Sequence, residues 1–471
     1  MNVLEKIVAD KRIEVETRKK QFSLQEFQAQ LSPSDRNFKQ ALLDDFNNKG
    51  SSFILECKKA SPSKGLIRSE FDLDEICQAY KEYASCVSVL TDEKYFQGEF
   101  ERLPLVKDKL HQPVLCKDFF IDEYQVYLAR YFGANAILLM LSILNDEEYI
   151  QLANVAKSLD LAILTEVSNK QEMERAVDLK ADILGINNRN LRDLSTDLNK
   201  TPELVSLFHD IASTEQINNT VLISESGIYN HQQVKLLLQN VKGFLVGSSL
   251  MAQDDLMTAC RDLIVGEHKV CGLKNSNDIT SAVSSGAKYQ GLILVPSSPR
   301  AVTPDQAKTL KASHPTANFV LVVRDLEVKE LISLVTEINP AAVQLHGNED
   351  NVYIENLRQH VPTSVSIWKA LAVANTLPER WPSADKIVLD TKAADGHSGG
   401  TGKQFDWQLL EQLDLSSPPI LLAGGVNYEN VSPALAQPVT GLDINSGVET
   451  SPGVKSSEKI EQIFNKIYNR K

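Results

Sequence analysis

Five charged side chains stand where short apolar runs of this chain end. Glu56 and Lys58 flank the end of the run 53–57, Lys117 ends 114–117, Glu166 ends 162–166, and Glu225 follows 221–224. Three carboxylates and two ammonium groups converging on one place would be expensive to desolvate for structure alone. They suit acid–base work, because neighbouring charges shift one another's proton affinity. Asn187 ends a further run in GINNRN, and Ser226 follows Glu225. Cys271 ends a run in HKVCGLKN, ahead of a helical pattern, a setting in which a thiolate is favoured. Later runs end in LVPSSPR, VQLHG, VLDTKAADGHSGGTGKQFDW, LAGGV and GLDINSGVE.

Glycine marks another set of run ends. The run 221–223 leads into Ser224-Glu225-Ser226-Gly227, and 243–246 into Gly247-Ser248-Ser249. Glycine lets a ligand approach the backbone, and a helix starting just beyond points free N–H groups at it. The layout recurs: 420–423 ends in Gly424-Gly425, and 441–444 in Asn445-Ser446-Gly447. Gly227 and Ser248 are 21 positions apart, as are Gly425 and Ser446. The chain therefore holds two anion cradles.

The elements that must position these residues alternate. Strand-like runs at 53–57, 87–90, 114–117, 136–140, 162–166, 183–187, 221–224 and 244–246 are separated by amphipathic helical patterns such as 123–131 and 147–159. A second series of eight follows at 269–272, 291–295, 319–323, 342–345, 365–370, 387–390, 420–423 and 442–445. Short apolar strands alternating with helices indicate a parallel sheet covered on both faces. Eight such units close a barrel whose active site lies at the C-terminal ends of the strands. The expected fold is α/β, with two tandem (β/α)8 TIM barrels at 1–265 and 266–471. Residues 1–48 read as a helical extension, with one helical stretch from Leu4 and a second over 24–43; it either packs on the first barrel or covers its mouth. Gly266-Glu267-His268 reads as a minimal linker, too short for independent tumbling, so the barrels are expected to pack together.

The length of 471 residues fits two domains. The net charge of −13 argues against nucleic acid and anionic membranes as partners, though not against a small anionic substrate. The N-terminus lacks the apolar core of a signal peptide, and no window suits a membrane span. The six cysteines form no CxxC pair, which suggests reduced thiols in a cytoplasm. The eight histidines form no HxH or HxxxH pair, so no metal site is expected.

In this order and spacing, ECKKASPSKG, VLCKDF, TEV, GINNRNL, SESGI and GFLVGSSLM resemble indole-3-glycerol phosphate synthase over residues 1–255. The resemblance implies closure of an anilino-deoxyribulose phosphate to an indole ring, with loss of CO2 and water. Lys117 matches the general acid, with a pKa expected to be lowered by a second cation. Lys58 matches a contact to the substrate carboxylate. Glu166 matches the group assisting proton removal. Glu56, Asn187 and Glu225 match residues that position substrate and lysines. Ser61, Gly227, Gly247 and Ser248 match phosphate contacts, with Phe119, Arg189 and Ser226 as site neighbours.

The second half, 268–471, resembles phosphoribosylanthranilate isomerase. Cys271 then matches the general base and Asp390 the general acid of an Amadori rearrangement. Arg300 matches a binder of the anthranilate carboxylate. Gly424, Gly425, Ser446 and Gly447 match the phosphate cradle, and His346 and Asp443 further substrate contacts. The stretch 391–403 reads as a long polar loop, either solvated or a lid. Together the halves imply a bifunctional tryptophan-biosynthesis enzyme, cytoplasmic and monomeric, with phosphorylated anthranilate substrates and no cofactor. Three rivals are one inactive scaffold barrel, an isomerase or aldolase for another sugar phosphate, and a binding-only role.

Overall fold

In the computed structural model, residues 2–190, 193–378, 380–391 and 404–468 are described. The strands of the first half are β1 (Ser52–Cys57), β2 (Cys86–Leu90), β3 (Val114–Lys117), β4 (Ala136–Met140), β5 (Ala162–Val167), β6 (Ile183–Asn187), β7 (Val221–Glu225) and β8 (Gly243–Val246). They form a closed parallel barrel in chain order. Closure is made by β1 pairing with β8, Ser52 opposite Gly243. Most of these strands are buried along their whole length, because helices cover the sheet outside and side chains fill it inside.

The second half repeats the plan with β9 (Lys269–Cys271), β10 (Tyr289–Ile293), β11 (Asn318–Val323), β12 (Ala342–Leu345), β13 (Ser366–Val373), β14 (Lys386–Thr391), β15 (Ile420–Leu422) and β16 (Gly441–Ile444). These too close into one barrel, with Lys269 of β9 opposite Asp443 of β16. Strand β10 begins two residues before the predicted 291, since Tyr289 and Gln290 already pair with Asn318 and Phe319.

Connecting helices start where the sequence supplies caps. Asn145 and Glu148 form a reciprocal capping box on Asp146–Ser158, and Thr303 with Gln306 does the same ahead of Pro304. The regularity fails in the second barrel. Among the described residues, no helix joins β13 to β14, and a short 3-10 segment, Trp407–Gln412, is the only helical piece between β14 and β15. The remainder of the predicted loop 391–403, beyond Thr391, lies outside the described residues.

The extension departs from the expected two long helices. Val3–Gln21 is continuous, but the stretch 24–43 breaks into Leu24–Phe27, a turn at Gln28–Gln30, and Phe38–Lys49. Pro33 pushes the residue before it out of the helical region. Asn37 then restarts the helix by accepting from the Gln40 N–H.

The chain divides into two compact units, one of Met1–Tyr229 with Leu237–Arg261, the other of Asn230–Leu236 with Asp262–Lys471. The predicted linker is thus built into the second unit. Glu267 donates its N–H to the Thr440 carbonyl at 2.9 Å, and its carboxylate pairs with Lys288 at 2.6 Å and with Lys386. All six cysteines are free and buried.

Two candidate active sites

The end of β1 brings Glu56 and Lys58 into the mouth of the first barrel, where Glu56 is fully buried. Lys58 ion-pairs with one carboxylate oxygen of Glu56, and Lys117 from the end of β3 sits 3.0 Å from the other. Lys117 also lies 3.4 Å from Glu225, the last residue of β7. One lysine is therefore clamped between carboxylates from two distant strands.

Burial alone would lower the pKa of Lys117, but Glu56, then Glu225 and Glu166, outweigh it and push it up. The expected lowering is thus corrected: the anions nearest Lys117 decide its state, and it stays an ammonium. The depressed lysine is Lys58, by burial first, opposed by Glu56 and reinforced by Lys117 and Arg189. Glu56 faces the burial penalty too, yet the two lysines hold it down at about 2. Glu166 has no such help. Burial and the Glu225 charge push it up to about 8, against the pull of Lys117 and a hydrogen bond with Asn187. Glu225 is raised as well, again mainly by burial.

Glu56, Lys58, Lys117 and Glu166 open into one cleft of about 1100 Å³ measured out to open solvent. Its lining includes Lys58, Lys117, Glu166, Asn187, Arg189 and Phe119 with the predicted phosphate contacts Ser61, Gly227, Gly247 and Ser248, and also Ser226. The helix Ser248–Met251 begins directly after Gly247. Gly227 has φ +80°, a left-handed conformation that favours glycine. Apolar walls come from Leu138, Met140 and Phe96, with the Phe119 ring 6.1 Å from that of Phe96.

Val3, Leu4 and Ile7 of the N-terminal helix line the same cleft, so of the two alternatives for the extension it covers the mouth. Sequence reasoning missed two devices. Buried Lys11 anchors that helix, 2.8 Å from Asp92 after β2 and 2.9 Å from Asp118 next to Lys117. A lysine flanked by Asp10 and Arg12 gave no signal of burial. The other device is space. A methyl group on Gly247 would collide with the Glu56 carboxylate, and one on Gly185 of β6 with that of Glu225.

In the second barrel Cys271 ends β9 and is buried. Its thiol is raised by burial, with Lys269 pulling the other way. The expected thiolate-favouring helix end is too far off, since the next helix starts only at Ser276. Asp390 of β14 is pushed up to about 6 by burial, partly offset by the Thr391 N–H that it accepts at 2.7 Å.

Beneath them Lys269 donates to Asp443 at 2.7 Å and to Gln344 at 2.8 Å. The other Asp443 oxygen is buried without a hydrogen-bond partner. His346 follows β12, its ring 3.1 Å from the Gln344 amide. Arg300 is engaged by Glu449 through two hydrogen bonds, of 2.9 and 2.8 Å. Gly424 and Gly425 both have positive φ, and a side chain on Gly424 would meet Thr391 and Asp390. A side chain on Gly447 would strike the backbone of Val426 and Asn427, so the two halves of this cradle pack on each other. No group of three or more His, Cys, Asp or Glu able to hold a metal occurs among the described residues.

Fold and sites together define a tandem pair of (β/α)8-barrel enzymes with two different sets of acid–base residues. The family indole-3-glycerol phosphate synthase matches residues 4–263, and N-(5'phosphoribosyl)anthranilate isomerase matches 268–466. The Tryptophan biosynthesis protein TrpCF of Vibrio cholerae is 50% identical over 468 residues, covering 99% of this chain and 96% of that protein. The proteins of that name from Haemophilus influenzae and Salmonella typhi are 49% and 48% identical, over 99% and 98% of this chain and 97% and 98% of theirs. The chain belongs to this family of bifunctional tryptophan-biosynthesis enzymes and has both activities. No helix of the described residues is long and apolar enough to cross a membrane.

Proposed function

We propose that the isomerase half, 266–471, acts through Asp390 and Cys271, and that the synthase half, 1–265, acts on the product of the first reaction through Lys117 and Glu166. In the isomerase half the substrate is N-(5-phosphoribosyl)anthranilate. Asp390, kept partly protonated by burial, gives its proton to the ribose ring oxygen as the ring opens to a Schiff base. Cys271 removes the proton from the adjacent carbon, and the enolamine becomes the ketone. Gly424, Gly425, Ser446 and Gly447 hold the phosphate. Arg300 receives the anthranilate carboxylate, while Asp443 and His346 contact the remainder of the substrate. The unpartnered Asp443 oxygen is available for a substrate hydroxyl or amine.

In the synthase half the ring carbon attacks the ketone. Lys117 donates to the developing alkoxide, which is more basic than even a strongly raised ammonium. Lys58 meets the substrate carboxylate as CO2 is lost, and Glu166 takes the proton during dehydration. Glu56, Asn187 and Glu225 hold the lysines and substrate. Ser61, Gly227, Gly247 and Ser248 take the phosphate, and Phe119, Arg189 and Ser226 border the substrate. The observation carrying this reading is the clamping of Lys117 between Glu56 and Glu225 in a cleft it shares with Glu166 and the cradle.

A fluorescence assay that starts from phosphoribosylanthranilate tests both halves, through loss of substrate and gain of indole product. Absence of both signals with pure protein would overturn it. The enzyme is further read as a cytoplasmic monomer; light scattering at micromolar concentration that gave a dimer mass would refute the second point.

A further inference from the structure

We propose that Glu449 and Lys455 are positioning residues of the isomerase half, holding the Arg300 fork for the substrate carboxylate and tying it to the phosphate cradle. The inference rests on the reading of Arg300 given above. Three strand ends meet here. Gly272, directly after Cys271, has φ +72°, and a Cβ there would lie 2.9 Å from Arg300 Cδ and 3.0 Å from Asn445 Oδ1. Glu449 belongs to the short ribbon Glu449–Ser451 with Val454–Lys455, just beyond the Ser446-Gly447 cradle.

The hydrogen bonds divide the work. Glu449 Oε1 accepts from Arg300 Nε at 2.9 Å, and Oε2 accepts from Nη2 at 2.8 Å. Among the described residues no hydrogen bond is made by Nη1, so the outer edge of the guanidinium is open while its inner edge is locked. Lys455, whose side chain is fully buried, uses all three donors: Glu449 Oε1 at 2.8 Å, Asn445 Oδ1 at 2.7 Å and the Asn445 carbonyl at 3.0 Å. The backbone N–H of Gly453 adds a 3.2 Å bond to Glu449.

Arg300 and Lys455 share the Glu449 carboxylate beside the Cys271 thiol, and Asp278 faces Lys455 from the next helix. An incoming aryl carboxylate would meet a donor already fixed in direction, which reduces the ordering cost of binding. A substrate without the carboxylate gains nothing from it. The cluster therefore selects for the acidic aromatic amine, and through Asn445 it sets the span between carboxylate and phosphate.

The test compares phosphoribosylanthranilate with its phosphoribosylaniline counterpart, using full-length protein. Arg300→Met is expected to abolish the preference for the carboxylate. Glu449→Gln is expected to raise KM for phosphoribosylanthranilate about 10- to 100-fold, the scale of one charge-assisted hydrogen bond pair, with kcat within about 2-fold. Glu449→Asp keeps the charge, and with it the fold, but draws the fork back by one methylene; KM should rise only a few-fold. Ring closure of purified isomerisation product, run on the same samples, reports the integrity of the protein. An unchanged KM in Glu449→Asp and Glu449→Gln, with Arg300→Met losing the preference, would overturn this inference alone. An unchanged preference in Arg300→Met would overturn the reading of Arg300 as well. A fall in kcat with KM unchanged would assign Glu449 to structure only and equally overturn the proposal.

Discussion

The two barrels share a scaffold and a cradle, yet they tune their reactive groups by opposite means. In the first, charge sets buried groups apart: two lysines hold Glu56 at about 2, whereas Glu166, raised by burial first and then by the Glu225 charge, reaches about 8 in the same cleft. In the second, burial dominates: Cys271 and Asp390 both move upward, and the main charged pair, Lys269 with Asp443, lies beneath them. A cyclisation that passes through alkoxide, iminium and carboxylate stages needs several poised charges. A proton shuttle needs only one group that gives a proton and one that takes it.

The sharpest way to break this contrast is to remove one group from each side. Lys117→Ala is expected to lower ring closure by about 10³-fold or more while leaving isomerisation intact, and Cys271→Ala the reverse. Loss of both activities in either variant, with the fold preserved by circular dichroism, would defeat the two-site description. Next in size is Gly247→Ala, whose methyl group would displace Glu56 and with it the clamp on Lys117. Ring closure should fall by about 10²-fold. Gly291→Ala, where the methyl would approach the Cys271 sulfur to 2.8 Å, should affect only isomerisation.

The pH profiles separate the halves further. In the proposed mechanism Glu166 works ionised and Lys117 protonated. Since Glu166 gains its proton below about 8 and Lys117 keeps its own, ring closure should rise about tenfold per pH unit up to about 8. In the proposed mechanism Asp390 works protonated, as its raised pKa favours, and Cys271 works ionised, against its own shift. The active form then rises with pH to about 6 and stays a constant small fraction until the thiol titrates, so isomerisation should be flat across neutrality. A flat synthase profile, or an isomerase rate that climbs through pH 7, would contradict the assignment. The smallest effect expected is none: EDTA should leave both rates unchanged, and inhibition reversed by added metal would sink the cofactor-free reading.

Much of this was legible in the sequence because it is local. All sixteen strands fall within a few residues of the apolar runs, and the glycines that follow them, such as Gly227 and Gly425, stand at strand ends as expected. What escaped is pairwise and distant. Lys117 is expected from VLCKDF, but its raised pKa depends first on Glu56 of another strand and then on Glu225, 108 residues away. Lys11 gives no sign of burial until Asp92 and Asp118 are seen around it. Local reading failed at two points as well: the expected stretch 24–43 breaks after Gln30, ahead of Pro33, and the helix expected close behind Cys271 starts only at Ser276.

Gly247 serves two purposes in the proposed site: it lines the cleft as a phosphate contact, and it leaves room for Glu56. Engineering of this barrel toward other phosphorylated substrates cannot therefore treat anchoring and reactivity as separable modules. A library diversified at position 247 to change anchoring would consist mostly of inactive members. Recovering activity would call for a simultaneous second change at position 56, a double step that single-site searches do not reach.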